Sequence, residues 1–551
     1  MALPVLTLLL WLLPSCCSGA GESAAAPAPP LRVWHITDVH IDPWFTPGAD
    51  ATSCYCEITK ADGVHRGCDQ PTTCSPACNC SLASHGGAPN TPNGTAGLFG
   101  NSEGNCATPV SLYASAVEFM RAGRTGTAAT AGAPLVYFTG DFAEAGSSYP
   151  CDGTVNMTVA QQQINSIISH GWLTLRVALP NATILGTLGN HDASPGDVVY
   201  GDSRQSWLYD HCAALWAPDL QHEPGALASV RKGGWFATRP VPGLTVISLN
   251  INYWCDYILK PMDFVLKAME FMLKMRDSVP RETQNPQTAD PTSSASKLGV
   301  AQFTWLEAAL GTAVATGDKV HILGHQPPGP NPPGPGDPWV AGAWPRLSRL
   351  VERYRAHIQG LFFGHVHTDE WTLLRGCTGN GTNASVPGAV RCDGAAHTLL
   401  LPGVSLTEGF PATNPALRLL EFDPVTFALR EAWTYYADLH AANAAPQRGP
   451  QWRLAYQFTR EYGLADLSVD SFERLHAAFA QPGSKLWDKY HGKAGGIYCT
   501  FYDVGRSPFP PLYPCTGWPD GAHNPDPRWP RGVVPMKDAW IAKLNATNLL
   551  A

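Results

Sequence analysis

Residues 361–367 read "LFFGHVH": three large apolar residues, a glycine, then His365 and His367 with one residue between them. The apolar half fits a strand buried on both faces. The two imidazoles at its end fit either a strand end spilling into solvent or a set of ligands. Four other strand-like runs end in the same manner and favour ligands. "HITDVH" ends in Asp38 and His40, "YFTGD" in Asp141, "LGTLGNHD" in Asn190, His191 and Asp192, and "HILGH" in His325. The spacing of two in Asp38-x-His40 and His365-x-His367 puts both side chains on one face of an extended chain. Ligands in open α/β folds gather at the carboxyl ends of strands. Five strand ends bearing carboxylate, amide and imidazole groups are therefore expected to converge on one site. That mixture suits borderline divalent metals such as Zn²⁺.

Around these runs, the chain from Leu31 to about Ala437 alternates short β-rich segments with glycine turns and helical stretches. Strands are expected at 32–37, 134–140, 182–189, 244–250, 319–325, 360–365, 397–403 and 417–423. Helices are expected at 111–122, 158–175, 203–217, 260–276, 301–315 and 343–357. Near-continuous apolar strands between helices predict an α/β layered fold with sheets buried on both faces. Segments 81–105 and 281–299 read as long surface loops. The run "HQPPGPNPPGPGDPW" (325–339) excludes helix and sheet interior and predicts a rigid loop beside His325. From about His440 the pattern turns helical, in "WRLAYQFTREYGL" and "SVDSFERLHAAFA", before a cysteine- and proline-rich end. The expected organisation is a catalytic domain over 31–439 and a small helical, disulfide-containing C-terminal domain over 440–551.

The 551-residue chain is 44% hydrophobic and 15% charged, a globular composition long enough for more than one domain. Its net charge of -8 and the lack of any Lys/Arg-rich run leave binding to a nucleic-acid polymer without electrostatic support. The stretch "MALPVLTLLLWLLPSCCSGA" (1–20) carries an apolar core too short for a good transmembrane helix and reads as a signal peptide. Residues 21–30 then form a flexible lead-in. Sequons at Asn79, Asn93, Asn156, Asn181, Asn380, Asn383 and Asn545 fit a glycoprotein. Of sixteen cysteines, Cys16 and Cys17 lie in the leader, and the even remainder fits disulfides formed in an oxidising compartment. Local bridges Cys377–Cys392 and Cys499–Cys515 are expected. The cluster from Cys54 to Cys80 reads as disulfides or, alternatively, as a zinc knot. The C-terminus lacks the hydrophobic tail of a GPI signal. These features predict a secreted, extracellular protein or a lysosomal one.

The order D-x-H, G-D, G-N-H-D, G-H, G-H-x-H resembles the metallophosphoesterase pattern. "TVISLNINYWC", "GDKVHILGHQPPG", "FFGHVHTDEW" and "RLAYQFTREYGL" narrow the resemblance to the acid sphingomyelinase and sphingomyelinase-like phosphodiesterase family, from about Leu31 to His491. The chain is similar to the short form of that family, without the saposin-like domain. The resemblance implies a four-layer metallophosphoesterase β-sandwich flanked by helices. It implies two Zn²⁺ bridged by Asp141, with Asp38, His40 and His367 completing one metal site and Asn190, His325 and His365 the other. A water shared by the metals would be ionised near neutral pH and attack phosphorus in line. In the family the histidine matching His191 binds no metal and reaches the leaving oxygen, which an imidazolium can protonate. Asp192 would hold the other ring nitrogen.

The implied activity is that of a phosphodiesterase acting on sphingomyelin-like lipids or on small soluble phosphodiesters and nucleotides. Peripheral membrane contact through the amphipathic C-terminal helices is a further expectation. A phosphomonoesterase on the same scaffold is one alternative. A non-catalytic extracellular binding protein is another, opposed by the presence of all seven ligand positions and His191. There is one departure from the pattern: sphingomyelinases resembling this chain carry a second histidine four residues after the bridging aspartate, where this chain has Ala145. Purple acid phosphatases place an iron-binding tyrosine three residues after it, and Glu144 at that position argues against a tyrosinate–iron centre. His35, His321 and His397 lie within strand runs and read as packed or surface-facing. Asn250 and Asn252 read as site-lining or turn residues. Trp339, Trp344 and Trp371 flank the pocket or fill core. "NPALR" (414–418) reads as a turn near the site.

Overall fold

The chain from Leu31 to Ile36 (β1) is apolar at four of its six positions and buried along nearly its whole length, so it belongs inside a sheet covered on both faces. Two short strands follow, β2 (Ile41–Asp42) and β3 (Thr108–Pro109), then β4 (Leu135–Phe138) and β5 (Thr183–Gly186). A second series comprises β6 (Phe236–Val241), β7 (Leu244–Ser248), β8 (Lys319–Leu323), β9 (Ile358–Phe363), β10 (Thr372–Arg375) and β11 (Ala396–Pro402). The chain then returns through β12 (Ala416–Phe422), β13 (Leu429–Ala437) and β14 (Trp452–Gln457). This computed structural model describes residues 28–48, 96–101, 106–123, 134–144, 157–194, 196, 198–255, 294–328, 339, 343–367, 369–376, 395–406, 414–481, 484–486 and 490.

Two six-stranded sheets result. Their orders are β14-β13-β12-β1-β4-β5 and β10-β11-β9-β8-β7-β6. In the first, β1, β4 and β5 run parallel, and β12 joins β1 antiparallel. In the second, β7, β8, β9 and β11 are parallel, with antiparallel β6 and β10 at the edges. Parallel neighbours need long crossovers, which helices supply. Met157–Ala178 links β4 to β5, Ser294–Thr316 precedes β8, and Ala343–Arg353 links β8 to β9. The sheets pack face to face. The Phe362 ring lies 5.7 Å from that of Tyr137 and 6.1 Å from that of His35, and His321 Nδ1 is 2.8 Å from Tyr137 Oη. On the outer faces Phe119 packs on Trp34, Trp172 closes over Gly186, and helices 294–316 and 343–353 cover the second sheet. This is the expected four-layer arrangement of helix, sheet, sheet and helix.

Several expectations need correction. "WRLAYQ" is not helical: Trp452–Gln457 is the edge strand β14, paired with β13, and the helix begins only at Phe458. Its edge position leaves Arg453 and Leu454 exposed, so the strand has no alternating pattern to read. The segment after 440 is therefore mixed rather than purely helical. β6 escaped prediction because "TRP" interrupts it, which an edge strand tolerates. The loop read to 299 ends at Ser294, where a helix begins. Not every cysteine is bridged: Cys106 is disulfide-bonded, but Cys212 is a buried thiol whose pKa burial pushes up. The leader, the 54–80 cysteine cluster, helix 260–276, both local bridges and all sequons except Asn181 lie outside the described residues. Asn181 is exposed on a turn. Among the described residues, no helix is long and apolar enough to cross a membrane.

Candidate metal centre

All five strand ends meet. Asp38 and His40 follow β1, Asp141 follows β4, Asn190 and His191 follow β5, His325 follows β8, and His365 and His367 follow β9. The donor atoms of Asp38, His40 and His367 lie within 4.8 Å of one another, and so do those of Asp141, His325 and His365. His40, Asp141 and His191 form a third such group. Asn190 Oδ1 stands 2.9 Å from His325 Nε2 and 3.0 Å from His365 Nδ1. Asp141 faces both clusters: its Oδ2 is 3.1 Å from His325 Nε2 and 3.6 Å from His40 Nε2.

The extended-chain reading of the two spaced pairs is corrected. Asp38, His40, Asp141, His365 and His367 all have left-handed φ, from 45 to 72°. Among the described residues only one other non-glycine, Phe427, does so. The pairs lie beyond the strands, and the left-handed turns swing His365 and His367 into different clusters. Such conformations cost of the order of 1–3 kcal/mol each and persist only where surroundings enforce them. Here Asp38 N–H donates to the Gly140 carbonyl at 3.0 Å, Ser405 Oγ donates to the Asp38 carbonyl at 3.0 Å, and His365 N–H donates to Asp38 Oδ2 at 2.8 Å. Glycine is required beside them. A Cβ on Gly189 would fall 1.9 Å from Asp141 Oδ1, and one on Gly364 2.2 Å from Thr37 Oγ1.

The donor set fits two divalent cations. His40 Nδ1 donates to the Ala143 carbonyl at 3.0 Å and His325 Nδ1 to the Thr139 carbonyl at 2.7 Å, so each Nε2 is turned inward. Asp38 Oδ1 and Asp141 Oδ2 are buried and face imidazole nitrogens, His367 Nε2 at 3.2 Å and His325 Nε2 at 3.1 Å, so two carboxylate charges point into one cluster of rings that a cation would hold together. His40 Nε2 and His367 Nε2 stand 3.2 Å apart, close to the roughly 3.0–3.4 Å that separates two ligands each about 2.1 Å from one cation.

Electrostatics agree with this fit. Burial opposes ionisation of Asp38 and Asp141, but the surrounding histidines outweigh it and hold both carboxyls below their usual range. Burial lowers His40 and takes His365 down to about 3, leaving both rings neutral. His325 differs. Burial alone would lower it, yet the Asp141 and Asp38 charges raise it to about 9. A cation must displace that proton. Metal uptake at pH 7 is therefore expected to release about one proton from His325, and uptake well above pH 9 to release none from it. Calorimetric titration in buffers of different ionisation enthalpy measures this, and identical heats at pH 7 would contradict it.

Asp192 does not hold the His191 ring. Its Oδ1 accepts the N–H groups of Phe142 at 2.9 Å and Ala143 at 3.2 Å, and its Oδ2 those of Asp141 and Gly189, both at 2.9 Å. A buried carboxylate beside four amide donors gains more there than from one imidazole. Burial, with the Asp141 charge, pushes its pKa up to about 6. Asp192 thus ties the loop after β4 to the loop after β5. Asp192→Asn points an amide NH₂ at two of those donors and is expected to cost about 3 kcal/mol. Thermal melts of the metal-free protein measure this, and an unchanged melting temperature would contradict it. His191 is partly exposed, its ring 5.2 Å from that of His40, and its N–H donates to Asp141 Oδ1 at 2.9 Å.

Thr37 and Ser405 carried no signal in spacing, yet both hold Asp38: Thr37 Oγ1 donates to its Oδ2 at 2.6 Å, and Ser405 bonds its carbonyl. Asn252 bonds the Gly189 carbonyl at 3.0 Å, whereas Asn250 braces Gly233 and Tyr209 away from the centre. Burial lowers His35 to about 3 and His321 to about 4, so both are neutral packing groups. Trp371 stacks among Phe472, Phe479 and Tyr490, and Trp339 between Trp254 and Trp344. Glu144 is buried and belongs to none of the donor groups. Ala145 lies outside the described residues.

Residues 31–369 match the calcineurin-like phosphoesterase family, and residues 402–497 match the acid sphingomyelin phosphodiesterase C-terminal region. The chain is similar to acid sphingomyelinase-like phosphodiesterase 3b of Homo sapiens, 30% identical over 325 residues, covering 57% of this chain and 60% of that one. It is similar to cyclic GMP-AMP phosphodiesterase SMPDL3A of Mus musculus, 27% identical over 493 residues, covering 88% of each. It is also similar to human sphingomyelin phosphodiesterase, 27% identical over 390 residues, covering 69% of this chain and 50% of that one. With its five-loop cluster and a family match across more than half its length, the chain belongs to the calcineurin-like phosphoesterases, in their acid sphingomyelinase-like branch.

Proposed function

We propose that the protein is a secreted or lysosomal two-zinc phosphodiesterase. The observation that carries this reading is the pair of adjacent donor clusters, with the buried Asp141 Oδ2 facing His325 of one at 3.1 Å and His40 of the other at 3.6 Å. Asp38, His40 and His367 would hold one ion, and Asn190, His325 and His365 the other. When bound, two such ions lower the pKa of water and neutralise charge on phosphoryl oxygens. The protein's own groups do the rest. The Nδ1–H bonds of His40 and His325 fix ring orientation. The Asp192 carboxylate fixes the loops carrying Asp141 and His191. The His191 ring, partly exposed beside His40, protonates the departing alkoxide.

The preferred substrate is a small soluble phosphodiester of nucleotide type. What supports this is the relative named as a cyclic GMP-AMP phosphodiesterase, which aligns over 88% of both chains. A sphingomyelin-like lipid is the second reading, supported by the match of residues 402–497 to the acid sphingomyelin phosphodiesterase C-terminal region. The test compares a cyclic dinucleotide, sphingomyelin in detergent micelles and bis(p-nitrophenyl) phosphate, at pH 5 and pH 7, with and without chelator. Chelator-sensitive cleavage of the dinucleotide without phosphocholine release is the expected result. Phosphocholine release at a comparable rate would replace it with the lipid reading.

A further inference from the structure

The loop that carries His365 and His367 is held from outside the region matched to the phosphoesterase family. Asp369, two residues beyond His367, is buried. Its Oδ1 accepts from Arg418 Nη2 and its Oδ2 from Tyr456 Oη. Its carbonyl accepts from Tyr490 Oη at 3.1 Å. Arg418 is fully buried and also donates Nη1 to the Pro402 carbonyl at 2.9 Å, at the end of β11. That strand pairs with β9 through Pro402 and Phe363, directly before the histidine loop. Arg418, Tyr456 and Tyr490 all lie within residues 402–497, the second matched region.

We propose that Arg418, Tyr456 and Tyr490 are positioning residues for the metal centre: through Asp369 they hold the loop of His365 and His367 in its left-handed conformation. This rests on the reading of both histidines as metal ligands. Both histidines have positive φ, at 72° and 59°, which no strand or helix enforces. The loop is anchored at its near end by the Gly364 N–H bond to the His325 carbonyl at 2.7 Å. At its far end the described anchor is Asp369. A carboxylate with a guanidinium on one oxygen and a phenol on the other has little freedom to turn. The tyrosines are fixed in turn. Tyr456 packs on Phe458 and Tyr462, and Tyr490 on Phe479 and Trp371. The region after β11 thus works as a clamp on the ligand loop rather than as an independent lobe.

The test titrates metal-free full-length protein with Zn²⁺ and follows Co²⁺ absorption as a readout of ligand geometry. Wild type is compared with Tyr456→Phe, Tyr490→Phe and Leu475→Ala. Each Tyr→Phe change removes a hydroxyl and keeps the ring. Leu475→Ala removes buried packing in the helix Val469–Phe479, with no bond to Asp369. Tyr456→Phe is expected to weaken the binding event at the Asp38, His40 and His367 cluster, whose histidine His367 lies two residues from Asp369, about tenfold, with an altered Co²⁺ spectrum. Tyr490→Phe, which loses only the carbonyl bond, shifts the same event less. Leu475→Ala lowers the melting temperature and leaves both affinities unchanged. Wild-type affinities in both Tyr→Phe variants, or an equal loss in Leu475→Ala, would overturn the clamp while leaving the two-metal reading intact. Failure of the wild type to bind two ions would instead overturn the reading beneath it.

Discussion

Asp141→Asn is expected to reduce phosphodiester turnover by at least about a thousandfold and to leave fewer than two metal ions per chain. The amide has the carboxylate's size but not its charge. Oδ2 is the atom that faces His325 and His40 together, at 3.1 and 3.6 Å, so one substitution touches both clusters. Oδ1 also receives the His191 N–H at 2.9 Å, and an NH₂ turned that way would repel it. With the Asp141 charge gone, His325 loses its largest reason to stay protonated. The proton released on metal uptake at pH 7 should therefore shrink along with the affinity. Steady-state kinetics with elemental analysis of the same preparation give the answer. Turnover within tenfold of wild type would show that Asp141 does not bridge the two metal sites.

His191→Gln is expected to behave differently. It should cost about a hundred- to ten-thousandfold in turnover of substrates that leave as alkoxides. It should cost little with bis(p-nitrophenyl) phosphate, whose phenolate departs without a proton. Metal content should remain at two ions. The contrast follows from position. His191 is partly exposed and lacks the positive φ shared by Asp38, His40, Asp141, His365 and His367, while His325 is fully buried. An equal loss on both substrates, or loss of metal, would make His191 a ligand or a structural residue instead of a proton donor.

The donor residues were legible because their chemistry is discrete. Carboxylate, amide and imidazole at the ends of apolar runs have few other uses, and five such endings in one chain reinforce each other. The strands bearing them were legible for the same reason, since buried parallel strands read as continuous apolar runs. What spacing could not give was the backbone. Asp-x-His and His-x-His look like alternation in a strand, but Asp38, His40, His365 and His367 lie past the strand ends in left-handed turns. Asp192 was misread because proximity in sequence to His191 suggested a partner. The fold instead turns its carboxylate towards Asp141, Phe142 and Ala143, about fifty residues away in sequence. β14 was misread as helix because its exposed edge position erases the period of two. Thr37 and Ser405 act through side-chain hydrogen bonds to Asp38, which leave no pattern in sequence.

Two divalent ions in the paired clusters are expected to be needed for phosphodiester cleavage. The most direct measurement is elemental analysis of the purified full-length protein, paired with its rate on bis(p-nitrophenyl) phosphate before chelation, after chelation and after zinc is restored. The expected result is two ions per chain, loss of activity with loss of metal, and recovery of both on reloading. A metal-free protein that still cleaves the diester at its original rate, or a protein that takes up zinc at no more than one site, would contradict it.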